Sequence, residues 1–308
     1  MKHSNMQVQE FTKNICLIDR TLLLHGKSSS ILIEPGYDMV VSGKFSGSSV
    51  EKVLERTRLF PIRVIGITHS HGDHVGNFPF YGKRLTEDFD VVLHSSSPLL
   101  EDEKKEPIFG TISSMPIPPK AHIQMIFQDT VYHWDGIECH VLCTPGHSYM
   151  PEDLSFFFPE SKILYLGDLL QPQGPSYELA DGVSPVPLFY NGTYYLETLQ
   201  KLLDIPFQTI ITGHGDVYSQ EKGKNALQVT LQCVQRMKYW AERIFQENPK
   251  ECLETICIQA YDKIVQERHF DLSLATKRKT EENCYKKTDY ELFDRPGLRY
   301  FVEVASKK

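Results

Sequence analysis

The chain has 308 residues, of which 41% are hydrophobic and 24% are charged, a composition typical of a folded protein with room for one large α/β domain and an appendage. Its formal net charge of −7 disfavours a nucleic-acid partner, because the field of the whole chain repels a phosphate backbone. The first ten residues lack the apolar core of a secretory signal, and every apolar run is far shorter than a membrane span. We therefore expect a small-molecule substrate and neither a nucleic-acid nor a membrane partner.

The first third of the chain predicts a meander of strands. Val8 to Ile18 alternates loosely between apolar and polar side chains, and short apolar runs follow at Leu22–Leu24 and Ile31–Ile33. The turn signal Glu34-Pro35-Gly36 ends this meander.

A helix and a buried strand come next. Ser48 followed by Glu51 is a capping-box pattern that predicts a helix, and Pro61 ends it. The apolar run Ile62–Thr68 then predicts a buried strand, which leads directly into His69.

The rest of the chain alternates between regular elements and two irregular segments. Prolines, charges and serines predict irregular structure over residues 99–120, a candidate for substrate contacts, and over residues 171–187. A helical, charged pattern begins at about residue 237 and includes a basic cluster between Lys277 and Lys287, which we interpret as solvated surface. Strands are predicted at Val131–Leu142 (with a turn at Asp135-Gly136), Leu154–Phe158, Ile163–Leu166 and Thr209–Thr212, and helices at Leu196–Leu203 and Glu221–Gln246.

Four metal-ligand side chains lie within six residues where the buried strand ends. The sequence there is H-x-H-x-D-H, and imidazole and carboxylate are good ligands for zinc and similar metals. His69 and His71 are two residues apart, so that in extended backbone their side chains point to the same side and can bind one ion. Gly72 lets the chain turn and send Asp73 and His74 elsewhere. One short segment can thus serve two metal ions.

Three further ligand-type residues occur in similar settings. Each follows a short apolar strand and has glycine beside it, as expected of side chains that meet at one edge of a sheet stack. They are His147 in Thr-Pro-Gly-His-Ser, Asp168 in Leu-Gly-Asp and His214 in Gly-His-Gly.

Taken in order, these motifs resemble those of the metallo-β-lactamase superfamily. The resemblance runs from about Ile31 to His214, and flanking elements extend it to about residue 236. It implies an α/β fold of the αββα sandwich type, with metals at one edge of the two sheets. We expect residues 1–236 to form this domain and residues 237–308 to form a mainly helical C-terminal appendage.

The resemblance also assigns roles to the seven residues around two divalent ions, with zinc the first expectation and iron or manganese the alternatives. Asp168 is the expected bridge, and Asp73 is expected both to bind metal and to act in catalysis. The first ion is assigned to His69, His71 and His147, and the second to Asp73, His74 and His214. The sequence departs from the family at Glu34, where an aspartate is usual, and at Asn77, where a glycine is usual.

Hydrolysis of a small acyl substrate is the expected reaction. Two neighbouring divalent ions lower the pKa of a shared water toward neutrality and polarise the scissile bond, so that no serine or cysteine nucleophile is needed. Only 45 residues separate Asp168 from His214, too few for the large inserted domain of the RNA-cleaving branch. Esters, thioesters or lactones, as in the glyoxalase II-like and lactonase-like branch, are the expected substrates.

Other functions of this scaffold stay open at this point. The main alternative is an oxidoreductase similar to persulfide dioxygenase, in which two histidines and one carboxylate hold a single iron. A phosphodiesterase, a nuclease or a β-lactamase of the same fold is less favoured. A non-catalytic metal sensor is disfavoured by the complete set of ligands.

The cysteines indicate a reducing compartment. Their number is seven, which is odd, and no Cys-x-x-Cys pair occurs. We expect reduced thiols in a cytoplasmic protein.

Overall fold

The computed structural model describes residues 8–38, 40–41, 44–45, 48–101, 116–170, 177–179, 182–184, 186–267 and 295–308. Much of both predicted irregular segments, and the whole basic cluster between Lys277 and Lys287, lie outside the described residues. The described chain forms two compact units. The first contains residues up to 144 together with 150–167 and 206–218, and the second contains 145–149, 168–205 and 219–308.

Seven strands of the first unit form one mixed sheet. Its first four strands are antiparallel neighbours joined by short turns, whereas the last three run parallel to the fourth. Parallel neighbours need long crossovers, and the described parts of these contain α1 (Ser48–Arg56), α2 (Gly72–Val75) and α3 (Phe78–Arg84). The strands, in spatial order, are β1 (Val8–Thr12), β2 (Ile15–Ile18), β3 (Thr21–His25), β4 (Ser30–Ile33), β7 (Ile62–Gly66), β8 (Phe89–His94) and β9 (Ala121–Ile126). Between β4 and α1, β5 (Val40–Val41) and β6 (Lys44–Phe45) pair with each other.

A second sheet has six strands, of which the first four are antiparallel and the fourth and fifth are parallel. In spatial order they are β10 (Thr130–Trp134), β11 (Ile137–Cys143), β12 (Leu154–Phe158), β13 (Ile163–Tyr165), β16 (Thr209–Ile211) and β17 (Val217–Ser219).

The two sheets bury their apolar faces against each other. One hydrophobic cluster contains Leu22, Leu24 and Ile33 of the first sheet with Leu154 and Phe156 of the second. The opposite face of the first sheet is covered by α1 and α3, whose Val53 and Tyr81 are fully buried. Burial of each large apolar side chain contributes about 1.5–3 kcal/mol, so these two layers hold the strand ends in place.

Helices dominate the second unit. Among its described residues, the helices are α4 (Gly192–Leu203), α5 (Gln220–Glu247), α6 (Leu253–Glu267) and α7 (Arg295–Ser306). The strands β14 (Tyr177–Leu179) and β15 (Gly182–Ser184) pair with each other. Helix α5 packs against α4, α6 and α7 through a buried stripe that includes Leu227, Val234, Met237 and Ala241, the spacing of one helix face. The predicted division into residues 1–236 and 237–308 stays a prediction, and residue 236 lies inside α5.

The structure confirms the meander, the helix at Ser48 and the strand before His69. The sequence patterns did not predict β8 and β9, which extend the first sheet beyond β7, or β17, which extends the second. The short pairs β5–β6 and β14–β15 were not predicted either, and β14 and β15 lie within residues 171–187, where irregular structure was predicted. Within the described residues, no helix has both the length and the apolar character needed to cross a lipid bilayer.

Candidate metal centre

The H-x-H-x-D-H segment lies where β7 leaves the first sheet. His69, His71 and His74 are buried, and His71 immediately precedes the short helix α2, on which Asp73 and His74 lie. His69 Nε2 and His71 Nδ1 are 3.0 Å apart. Two nitrogens that bind one zinc ion tetrahedrally are about 3.3 Å apart, so this pair is placed as a shared ligand pair requires.

A second group in the first unit consists of Asp73, His74 and His214, whose candidate ligand atoms all lie within 4.8 Å of one another. Asp73 Oδ2 is 3.5 Å from His74 Nε2 and 3.9 Å from His214 Nε2. His214 comes from the loop after β16, which the sheet brings close to α2 although the sequence separates them by 140 residues (214 − 74). This is the set that the resemblance assigns to the second metal.

Glu34 joins this centre in a way that the sequence did not predict. Its side chain is fully buried and, together with His69 and His74, forms another group with ligand atoms within 4.8 Å. Glu34 Oε2 is 3.4 Å from His74 Nδ1 and accepts a hydrogen bond from Thr68 Oγ1. The only sequence signal was its position after β4, where the family usually has the shorter aspartate.

These contacts orient the two histidines toward a metal. Thr68 Oγ1 gives its single proton to Glu34, so it accepts the Nδ1–H of His69, which lies 2.9 Å away. His69 therefore keeps the lone pair on Nε2. His74 likewise directs Nδ1 to Glu34 and Nε2 to Asp73. Carboxylates behind ligating histidines fix the tautomer and strengthen the ligand, so Glu34 fits a supporting role.

The second unit contains the other two predicted ligands, His147 and Asp168, both buried. His147 Nδ1 is 3.0 Å from the carbonyl oxygen of Leu188, to which it donates, so the neutral ring carries its lone pair on Nε2. His147 Nε2 and Asp168 Oδ2 are 3.8 Å apart. The loop that carries His147 needs glycine at position 146, which has φ +139°, because a Cβ there would lie 2.6 Å from the Cα of Tyr195.

A buried glutamate accepts a hydrogen bond from the H-x-H-x-D-H segment. Glu152, 2% exposed, accepts hydrogen bonds from the hydroxyls of Ser70, which lies between His69 and His71, and of Ser97 at 2.7 Å. Burial raises the pKa of Glu152 to about 8, although both serine hydroxyls act to lower it. Sequence reasoning missed this residue, because nothing in Pro-Glu-Asp-Leu distinguishes it from an ordinary loop acid.

We expect Gly215→Ala to weaken both the fold and the second metal group. Gly215 has φ +84°, and a Cβ there would lie 2.5 Å from the backbone oxygen of Asp19. A residue held in this strained region costs about 1–3 kcal/mol, and relief of the clash shifts the adjacent His214. Urea unfolding measures the first effect and zinc titration the second. Lys224→Ala, at an exposed position on α5, is the control, and equal stability of the two variants would contradict the prediction.

Comparison with known proteins agrees with this geometry. The family model "Metallo-beta-lactamase superfamily" matches residues 20–214. The chain is 29% identical to YobT of Bacillus subtilis (strain 168) over 167 residues, which are 50% of this chain and 68% of that one. It is 27% identical to the Beta-lactamase-like protein 2 homolog of Caenorhabditis elegans over 199 residues, 64% of this chain but only 56% of the worm protein.

Among solved structures, a metallo-beta-lactamase from Pontibacter korlensis aligns with 75% of this chain, and the alignment covers 99% of the Pontibacter chain. The TM-score is 0.55 and the sequence identity is 16%, so this likeness shows the fold. The αββα class expected from the sequence is thereby confirmed, and imidazole and carboxylate side chains suited to divalent metals lie together as in a metal-dependent enzyme family. The chain belongs to the metallo-β-lactamase superfamily.

Proposed function

We propose that this protein is a dinuclear metal-dependent hydrolase that cleaves the ester, thioester or lactone bond of a small acyl substrate. The observation that carries the proposal is the group of Asp73, His74 and His214, whose ligand atoms lie within 4.8 Å of one another. The packing of the sheet edge does not require that a carboxylate and two imidazoles, from α2 and from the loop after β16, lie together. Their convergence suits a divalent ion that activates water.

The proposed centre uses all seven predicted ligands. In this proposal, His69, His71 and His147 would hold one ion, Asp73, His74 and His214 would hold the other, and Asp168 would serve both. Support comes from the groups on the Nδ1 side of three histidines: Glu34 lies beside Nδ1 of His74, Thr68 beside that of His69, and the Leu188 carbonyl beside that of His147. Zinc is the proposed metal, with iron or manganese as alternatives.

Asp73 is the proposed catalytic residue, because its carboxylate is 42% exposed whereas the histidines around it are largely buried. When bound, the metal pair supplies Lewis acidity toward the substrate carbonyl and lowers the pKa of water. Asp73 orients the attacking water and accepts its proton. Water oxygen forms the new bond to the acyl carbon, the C–O or C–S bond breaks, and Asp73 returns the proton to the leaving group.

Metal analysis run beside a substrate panel tests the proposal. We expect about two zinc-like ions per chain and turnover of at least one ester, thioester or lactone that is absent in His71→Ala and Asp168→Ala. One iron per chain with oxygen uptake on a persulfide would replace the hydrolase by the oxygenase alternative. Metal binding without turnover of any panel member, phosphodiesters included, would favour a sensor.

Metal removal is expected to abolish activity and to lower stability. A ligand that binds only the folded state adds about 2.7 kcal/mol of stability at 100 times its dissociation constant. Urea unfolding with and without added zinc measures this gain, and a magnesium control should give little, because it prefers oxygen ligands. Equal unfolding curves with and without zinc would contradict a zinc site.

We further propose a small molecule as the only substrate class and a cytoplasmic location. Free thiols at Cys16, Cys139, Cys252 and Cys257 support a reducing compartment.

A further inference from the structure

Arg20, which the sequence motifs did not single out, lies against the second metal group. It occupies the two-residue turn between β2 and β3. Its Nη1 donates to Asp73 Oδ2 at 3.0 Å and to the Asp73 backbone oxygen at 3.3 Å. Asp73 Oδ2 is also the atom that faces His74 and His214. A permanently cationic group is thus built onto the edge of the proposed catalytic centre.

The turn that carries Arg20 is held firmly in place. The hydroxyl of the buried Tyr165, on β13, donates to the Arg20 backbone oxygen at 2.6 Å. Asp19, with φ +52°, packs so closely on the His214 loop that only glycine fits at position 215. The guanidinium is therefore preorganised relative to both loops of the second metal group, which lowers the entropy cost of using it to bind a ligand.

The free edge of the guanidinium suits an anion. Both contacts with Asp73 are made by Nη1, and none of the described residues accepts a hydrogen bond from Nε or Nη2. Nε and Nη2 form the side edge of arginine, whose two parallel N–H groups match the two oxygens of a carboxylate. The side chain is 30% exposed, so the arginine is partly open to solvent.

We propose that Arg20 binds a carboxylate of the substrate, so that the preferred substrates of the proposed hydrolase are acyl compounds with a second, anionic carboxylate group. This inference rests on the proposed function for its catalytic meaning. The alternative is that Arg20 acts only through Asp73, by holding that carboxylate in place. The two differ in one respect: only the first distinguishes charged from neutral substrates.

A matched pair of esters tests the proposal on the zinc-loaded protein. The pair is 4-nitrophenyl hydrogen adipate and its methyl ester, which differ by one negative charge. We expect wild type to prefer the acid. Because Arg20 also contacts Asp73, Arg20→Met should lower kcat/KM for both esters, but about 10- to 100-fold more for the acid and through KM, the value range of a charge-assisted hydrogen bond. Arg20→Lys should keep part of the preference. Arg63→Met, which removes an arginine paired with Glu87 elsewhere in this unit, is the control.

A binding measurement that is independent of turnover completes the test. Calorimetry compares binding of N-(4-nitrophenyl)adipamic acid and its methyl ester, an amide pair that reports the charge preference even if neither ester is hydrolysed. Tighter binding of the acid that Arg20→Met removes supports the inference, and if turnover is absent only the hydrolase proposal fails. Equal binding of the amide acid and its methyl ester overturns the inference. It is also overturned if Arg20→Met loses metal and kcat/KM falls equally for both esters.

Discussion

His74→Ala is expected to remove one of the two metal ions and to lower kcat/KM at least about 100-fold. His74 is fully buried and belongs to two ligand groups of the first unit, with Glu34 on its Nδ1 side and Asp73 on its Nε2 side. Changes to partners behind a ligand already cost about 10–100-fold in metal affinity or activity, so loss of the ligand itself should cost more. Elemental analysis and steady-state kinetics measure the two effects.

The matched control for this variant is His140→Ala. His140 is a surface histidine on β11 that pairs with Glu138 and belongs to no described ligand group. Asp73→Asn provides a second test that leaves no cavity, because the amide has the same shape and cannot bind the ion as a carboxylate does. Two metals per chain in a folded His74→Ala protein would contradict the proposed centre.

Glu152→Gln is expected to stabilise the metal-free protein, by an amount that grows with pH. The pKa of Glu152 in the folded protein is about 8, above the ordinary value of 4.5, because the carboxyl is buried. Its contribution to stability is therefore fully present below pH 4.5 and is lost as the pH rises through 8. The loss amounts to about 1.4 kcal/mol per pH unit, or about 3 kcal/mol between pH 5.5 and pH 8.

Glutamine resembles the protonated carboxyl and does not titrate, so the variant should avoid this loss. Urea unfolding of chelator-treated wild type and variant at pH 5.5 and at pH 8 measures the gap. Glu160→Gln, in an exposed turn, serves as the control for the loss of one negative charge. A gap between wild type and Glu152→Gln that is the same at both pH values would show that Glu152 is charged throughout.

A consequence for the metal centre follows from the same residue. Because Glu152 binds the Ser70 hydroxyl, it helps to set the backbone between His69 and His71. Glutamine can accept only one of the two serine hydroxyls, at Ser70 or at Ser97. We therefore expect zinc affinity to fall modestly in Glu152→Gln even where the fold becomes more stable, and competition with a chromophoric chelator measures this.

The sequence alone identified the family of this protein and predicted the side chains of its proposed metal centre. The H-x-H-x-D-H segment is a local pattern, and its position after an apolar strand follows from residues within ten positions of it. The antiparallel strands β1–β4 were predictable for the same reason, since their pairing is between neighbours in the chain joined by short turns. By contrast, β8 and β9 pair in parallel with strands that are separated from them in the chain by long crossovers. Their sequences mix apolar and polar residues, and they form strands because of these neighbours.

The surroundings of the ligands were decided only by the tertiary structure. Glu34 reaches Thr68 across 34 positions, Arg20 reaches Asp73 across 53 and Ser70 reaches Glu152 across 82. Periodicity in a sequence reports which face of an element is buried, whereas a hydrogen bond between distant residues depends on sheet register and strand order. The candidate metal ligands could therefore be predicted from the residues themselves, whereas the groups that surround them became visible only once the strands were aligned.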